Sequence, residues 1–173
     1  SANLNSDAAA LIEPFRYADG ERIREKSALS LERSLQDDFV KFLGLALRLG
    51  SCTGPGFVLG YITNNSYLDS ALHRGLRAEL MKRLDQLYLV NLFGDSIKDR
   101  EENVFDIQQG VGILLGATTS RSHGGGVYVS DCRGTRETKY AEMLRTSWKS
   151  TAFSKIQALA PQRYFLRLES GGE

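Results

Sequence analysis

The stretch Val58-Leu-Gly-Tyr-Ile-Thr-Asn-Asn-Ser-Tyr-Leu68 starts as an apolar run and ends in hydrogen-bonding side chains, Thr63, Asn64, Asn65 and Ser66. The unbroken apolar segment Phe57 to Ile62 predicts a strand buried on both faces, because half-exposed strands alternate instead. A helix signal follows: Asp69 or Ser70 as cap, then Leu72, Leu76 and Leu80 on one face, with Arg74, Arg77, Lys82 and Arg83 turned elsewhere. Further apolar runs predict a second strand from about Leu87 to Leu92 and a third over Val111 to Ala117. Strand, helix, strand is the grammar of a parallel α/β sheet. With no helix between the second and third strands, the third is free to run antiparallel.

Working outward, Ser51-Cys-Thr-Gly-Pro-Gly56 is a turn by composition. Before it, Leu35, Phe39, Leu43, Ala46 and Leu49 recur at helical spacing, predicting one amphipathic helix over roughly 28 to 49 with Gly50 as a left-handed cap. Residues 1 to 26 read as a loop or arm with at most a short helix around Ala8 to Ile12. Downstream, Phe93 to Gly110 is a charged loop of unusual length, and such loops in compact domains tend to be functional or disordered. The tract Ser122-His-Gly-Gly-Gly126 then leads, most simply as a hairpin turn, to a short strand over Val127 to Ser130. Helices are predicted near Arg136 to Thr146 and Thr151 to Ala158, an edge strand over Arg163 to Leu168, and an anchoring role for Trp148.

Composition limits the function classes. A chain of 173 residues makes about one domain, and its 42% hydrophobic and 25% charged residues are those of an ordinary globular protein. No apolar run is long enough to span a membrane and no signal peptide is visible, so a cytoplasmic protein without a membrane partner is expected. Cys52 and Cys132 stand alone and read as free thiols, and His73 and His123 show no metal-ligand spacing and read as surface or turn residues. Asp37 and Asp38 are neighbours that point in different directions on a helix, which disfavours paired acid/base work. With a net charge of +1, a polyanion would have to be met by a local basic face.

Two constellations remain. Thr63 to Tyr67 occupies the carboxyl end of a strand, where open α/β sheets collect ligands. There the carboxamides of Asn64 and Asn65 could meet a base edge or a sugar-phosphate backbone, and Tyr67 could stack. Equally, the two Asn side chains could satisfy backbone groups in a tight turn. In Glu102-Asn-Val-Phe-Asp-Ile-Gln-Gln-Gly110, Phe105 either stacks on a base or pins the loop to the core.

The segments Gln36-Asp-Asp-Phe-Val-Lys-Phe42, Gly60-Tyr-Ile-Thr-Asn-Asn-Ser-Tyr-Leu-Asp69, Arg74-Gly-Leu-Arg77, Leu89-Val-Asn-Leu-Phe-Gly94 and Glu102 to Gly110 occur in an order that resembles the methyltransferase region of adenine-specific DNA methyltransferases in single-chain restriction-modification enzymes. The likeness covers about residues 1 to 118. It implies a partial Rossmann-like fold, the C-terminal half of the sheet with a reversed strand, followed over 119 to 173 by the hairpin and a helical extension toward a DNA-recognition domain.

That family transfers a methyl group from S-adenosylmethionine to the amine of an adenine flipped from the duplex. Its glycine-rich cofactor loop and Asn-Pro-Pro-Tyr tetrad are missing here: Pro14, Pro55 and Pro161 are isolated, and Gly110, Gly112 and Gly116 have the wrong spacing. The resemblance therefore implies a chain that begins past the catalytic loop, is inactive alone and holds no cofactor by itself. Its implied partners are DNA and the upstream half of the enzyme, or a second copy through an exposed strand edge. Phe105 matches the aromatic that packs against the extruded adenine, which favours stacking, with Asn64, Asn65 and Tyr67 completing the base pocket. Ser66, Gln108, Gln109 and Arg74 are the candidate DNA contacts, and Arg77 is expected to brace the fold through a carboxylate. A non-enzymatic DNA-binding or assembly module derived from such an enzyme is the alternative.

Overall fold

A computed structural model describes residues 2–24, 28–52, 56–118 and 126–166, with side chains from residue 7 and, after the first gap, from residue 30. His123 and the tract 119–125 lie outside the described residues. The N-terminal segment is more ordered than its composition suggests. Helix α1 spans Ala2–Ile12, and a 3-10 turn over Glu13–Arg16 leads into a small ribbon, β1 (Tyr17–Ala18) paired antiparallel with β2 (Glu21–Arg22). Asp19 and Gly20, at φ 54° and 82°, make the ribbon's two-residue turn. Both positions take positive φ, as the favoured hairpin turn requires, and an Asp-Gly pair suits it.

The predicted helix over 28 to 49 is two helices, α2 (Ala28–Leu35) and α3 (Asp38–Cys52). Gln36 closes α2 by donating to the Glu32 and Arg33 carbonyls, and the Asp37 carbonyl accepts the first bonds of α3. Gly50 does not cap α3, which continues to Cys52. It is there for close approach, since a side chain at 50 would come within 2.5 Å of the Phe57 ring. Gly44 plays the same part against the backbone of α1, where a Cβ would meet the Leu11 carbonyl at 2.5 Å.

Strand β3 (Val58–Asn64) leads through a 3-10 turn at Ser66–Leu68 and another at Ala71–His73 into α4 (Arg74–Arg83). Ser70, one of the two anticipated caps, accepts from the Leu72 amide. Strands β4 (Gln86–Phe93), β5 (Val111–Ala117) and β6 (Gly126–Asp131), helix α5 (Arg136–Arg145) and strand β7 (Ser154–Ile156) complete the order. The five-stranded sheet runs β3-β5-β4-β6-β7. β5 is antiparallel to both β3 and β4, whereas β6 is parallel to β4.

Three expectations change here. β5 and β6 do not form a hairpin: β3 and β4 already occupy the two edges of β5, so β6 pairs on the far side of β4 from Gln86↔Gly126 to Asn91↔Asp131. The helix predicted over 151 to 158 contains β7 instead, which closes the free edge of β6 through Val127↔Ile156 to Val129↔Ser154. Edge pairing outweighed a weak local helix preference. The edge strand predicted from Arg163 does not form among the described residues. That segment docks through the Phe165 amide on the Leu68 carbonyl, with the Phe165 ring fully buried.

One sheet face is dry. Leu59 of β3, Leu114 of β5, Leu87 and Leu89 of β4, and Val127 and Val129 of β6 meet Val40, Leu43, Leu47, Leu76 and Leu80 from α3 and α4 in a single core. The other face is covered only in part. Trp148 and Phe153 pack edge-on to Tyr88, which stacks on Tyr128 at 4.7 Å between ring centroids. Trp148 thus anchors the C-terminal segment as expected. At the β3 end of this face Val58 is 81% exposed and Ile62 57% exposed, so β3 is buried on one side and not on both.

Two polar side chains are internal: Arg77, expected to brace the fold, and His73, which reads from sequence as a surface or turn residue. Arg77 is fully buried and braces the fold through carbonyls, not a carboxylate. It donates to Gln162 O through Nε (2.9 Å) and Nη2 (2.6 Å), and through Nη1 to Tyr67 O (2.7 Å) and Ser70 O (2.8 Å). Burial lowers its pKa to about 10, still charged at neutral pH. His73 is buried, bonded through Nε2 to Ser34 Oγ at 2.6 Å and set edge-on to Phe39. Burial, with a smaller contribution from the Arg77 charge, holds its pKa below the ordinary 6.5.

Arg77→Met strips donors from three carbonyls and should lower stability by about 3 kcal/mol, read from the urea midpoint. His73 also sets a pH dependence. Below pH 6.5 the unfolded chain takes up a proton that the folded chain refuses. Stability is therefore fully present above that pH and falls by up to about 1.4 kcal/mol per pH unit beneath it. Urea titrations at pH 7.5 and 5.5 should show this slope in the wild type and a shallower one in His73→Gln.

Candidate functional site

The polar corner lies at the carboxyl end of β3, and its two carboxamides behave differently. Asn64 Oδ1 accepts from the Ser66 amide at 2.6 Å, the side chain serving its own turn. Asn65 reaches across the sheet. Its amide donates to Gly110 O (2.9 Å) and its Nδ2 to Asn91 Oδ1 (2.9 Å), on a strand two positions away.

That reach requires a glycine just before the intervening strand, at position 110. A Cβ at Gly110 would lie 2.6 Å from Asn65 Oδ1, and one at Gly112 would touch the Asn65 Cβ at 3.5 Å. Asn91 is buried and also accepts from the Phe93 amide at 3.2 Å. Two of the glycines that have the wrong spacing for a cofactor loop, Gly110 and Gly112, therefore lie against this carboxamide pair, while Gly116 faces Leu84.

Beside the pair is a pocket of about 180 Å³ lined in part by Asn65, Asn91, Phe93, Asp69, Lys98 and Asp99. Phe93 adopts φ 55°, a left-handed conformation uncommon for an aromatic residue, and Arg133 lies 4.0 Å over its ring centroid. Lys98 pairs with Asp69 at 3.1 Å. Asp99 accepts from the Gly94, Asp95 and Glu101 amides. Three carboxylates, from Asp69, Asp95 and Asp99, line this pocket against one lysine, a balance that disfavours a phosphate.

The loop 94–110 is tied down and contains neither helix nor strand. Val104 is the residue that pins it, packed with Leu92, Val111 and Cys132. Phe105 is 46% exposed, and Ile107, Gln108 and Gln109 are exposed beside it. Burial together with the neighbouring Glu142 raises the Cys132 thiol to about 11, leaving it protonated and unreactive. Cys52 is exposed and unpaired, so both cysteines are free thiols.

The structure unites some of the anticipated residues and separates others. The Asn65 corner and the Phe105 loop share a base: Asn103 Nδ2 donates to Gln109 O (2.7 Å), next to the Gly110 carbonyl that receives Asn65, and Asn103 Oδ1 accepts from the Phe105 amide (2.9 Å). Phe105 does not line the pocket at Asn65, where Phe93 is the aromatic. Tyr67 has no face to offer a base, being fully buried and tilted against Phe39. Burial raises the pKa of its hydroxyl. Ser66 and Arg74 are half-buried. Asn91 was foreshadowed by a polar residue in an otherwise apolar strand, a pattern that calls for a buried partner; nothing in the local pattern marks Phe93.

Solved structures of known proteins superpose on the chain. One is an electron cryomicroscopy structure of the DrdV–DNA complex, with TM-score 0.68 and 18% identity, covering 100% of this chain and 20% of that one. A second is the ATP-dependent Type ISP restriction-modification enzyme LlaBIII bound to DNA, at TM-score 0.73 and 21% identity over 96% of this chain and 11% of that one. A third is a nuclease-deletion mutant of the Type ISP restriction-modification enzyme LlaGI with a DNA substrate mimic, at 0.73 and 21% over 94% and 13%. This chain has their fold. It is a mixed α/β, partial Rossmann-like arrangement, and it spans at most 20% of the length of these proteins. No protein-family model and no curated protein sequence matches it.

The carboxamide bridge can be weighed directly. A double-mutant cycle of Asn65→Ala and Asn91→Ala, followed by urea unfolding, should return a coupling of about 1 kcal/mol, with Asn91→Ala the costlier single change because it removes the acceptor of both the Asn65 side chain and the Phe93 amide.

Proposed function

We propose that this chain is part of a site-specific DNA adenine-N6 methyltransferase of a restriction-modification system, supplying the far side of the sheet and one wall of the pocket for a flipped adenine. The observation that carries this reading is the state of Phe105. Its loop is held by Val104, so the half-exposed ring has no pinning duty and is available to a base, on a fold that superposes on DNA-bound restriction-modification enzymes. Base stacking on an aromatic contributes about 1–3 kcal/mol. Gln108 and Gln109, exposed beside the ring, offer donors and acceptors to the same strand, and Asn65 holds the base of the loop.

DNA is the proposed partner, and the upstream half of the enzyme is the second. β3 forms one border of the described sheet, paired only with β5, and Val58 and Ile62 are bare beside it. On α3, Phe42, Leu45 and Leu49 form an exposed stripe at helical spacing. An adjoining strand and helix would cover both surfaces, and a second copy of the chain is the competing occupant. No described helix is long and apolar enough to cross a membrane.

S-adenosylmethionine would supply the methyl group in the complete enzyme. The residues here do not fit it: Asn65 fills the space against Gly110 and Gly112, and Leu84 fills that against Gly116. Any cradle for it belongs to another part of the enzyme, and this chain's share of the chemistry is to receive and orient the base.

The test is binding to single-stranded DNA carrying one adenine, compared with the same strand made abasic at that position. The chain should prefer adenine by about tenfold, and Phe105→Ala should abolish the preference. Equal affinities for the two strands in the wild type would overturn the stacking role, and robust methyl transfer by the chain alone would overturn its assignment as a partial enzyme.

A further inference from the structure

The loop that presents Phe105 is held by the first turns of α5, in a pattern no local motif announces. Four consecutive loop carbonyls each receive a side-chain donor from that helix. Lys139 Nζ donates to Glu102 O at 2.5 Å, Arg136 Nε to Asn103 O at 2.8 Å, Tyr140 Oη to Val104 O at 2.6 Å, and Arg136 Nη2 to Phe105 O at 3.2 Å. Residues 136, 139 and 140 stand at i, i+3 and i+4, so they share one helix face.

The bonding is reciprocal. The Glu102 carboxylate accepts from the Arg136 amide at 2.8 Å, and the Glu101 carboxylate accepts from the Gly134 amide. Both acids thereby occupy the end of α5 whose amides are unpaired within the helix and whose dipole favours negative charge. Lys139 is fully buried, and it also donates to Leu92 O at 2.7 Å on β4 and lies 3.9 Å from Glu101. The Arg136 guanidinium closes the far side on Asp106 at 2.8 Å.

We infer that Arg136, Lys139 and Tyr140 are positioning residues for nucleic-acid binding: they hold the backbone of 102–105 so that the Phe105 ring is already in place when a base arrives. The inference rests on Phe105 being the stacking surface. Physically it is preorganisation. A loop of this length left to itself would lose much of its freedom on binding, and that cost falls directly on affinity. Here the ordering is done during folding by bonds that do not touch the ligand. Segment 126–145 is then part of the site, although none of its side chains need meet DNA.

The experiment uses the whole chain with three variants, Phe105→Ala, Tyr140→Phe and Lys139→Met, and two readouts. One is amide hydrogen exchange over 102–107 in the free protein. The other is the ratio of affinities for a thymine-rich oligodeoxynucleotide with one central adenine and for its abasic counterpart. Tyr140→Phe should speed exchange in the loop by about tenfold and cut the adenine preference several-fold, with little change in abasic affinity; Lys139→Met should do both more strongly. A role confined to stability would move the melting temperature and leave that ratio alone. Adenine preference lost in Phe105→Ala but kept in Tyr140→Phe and Lys139→Met would overturn the positioning role and leave the stacking role standing. No effect of Phe105→Ala would remove both. If Lys139→Met fails to fold, Tyr140→Phe decides, since it deletes a single oxygen atom.

Discussion

Strand β5 is hydrogen-bonded along both edges, to β3 on one side and β4 on the other, and the rest of the molecule is arranged around that constraint. With both ladders occupied, the next strand has no place beside it. β6 is displaced to the outer edge of β4, where its parallel direction brings its carboxyl end to the same rim as those of β3 and β4. α5 starts from that rim and meets the loop 94–110. The residue just before β5 must be a glycine, because a Cβ at Gly110 would meet the Asn65 side chain that reaches Asn91. Topology, glycine placement and the polar corner are thus consequences of one reversed strand.

Two buried cations then tie late parts of the chain to early ones. Arg77 holds Gln162 against the turn after β3, and Lys139 holds Glu102 against the end of β4. Both donate to backbone carbonyls, groups that cannot ionise and that would otherwise be left unpaired in the interior. Because a buried charge without its partners is costly, each residue makes its local arrangement close to all-or-none. The described residues 126–166 are therefore joined to the sheet by strand pairing, by the lysine and by the arginine.

Much of the architecture is legible in the residues. The apolar runs mark β3, β4 and β5 to within a residue or two, even though β3 is a border strand with one face exposed. Ser70 is foreseeable as a cap, and Asp19-Gly20 carries a hairpin signal within a segment whose composition otherwise reads as an irregular arm. Less legible is the break of the long helix, since the apolar spacing runs straight through Gln36 and Asp37 and only the docking of two helices shows the discontinuity. Of the paired carboxamides, periodicity cannot tell that Asn64 serves its own turn while Asn65 crosses the sheet. For Phe105 the two local readings were stacking and pinning. The structure gives the pinning to its neighbour Val104, one position along the chain and facing the other way.

By itself, then, the sequence determined the α/β class, the three apolar strands with the helix between the first two, and the two stretches worth watching, because each depends on short-range pattern and the chemistry of neighbouring residues. Which strands are neighbours, which charges are interior and which aromatic remains at the surface were decided only in three dimensions. These depend on competition for sheet edges and for buried hydrogen-bond partners between residues as far apart as Arg77 and Gln162, a competition that no local spacing records.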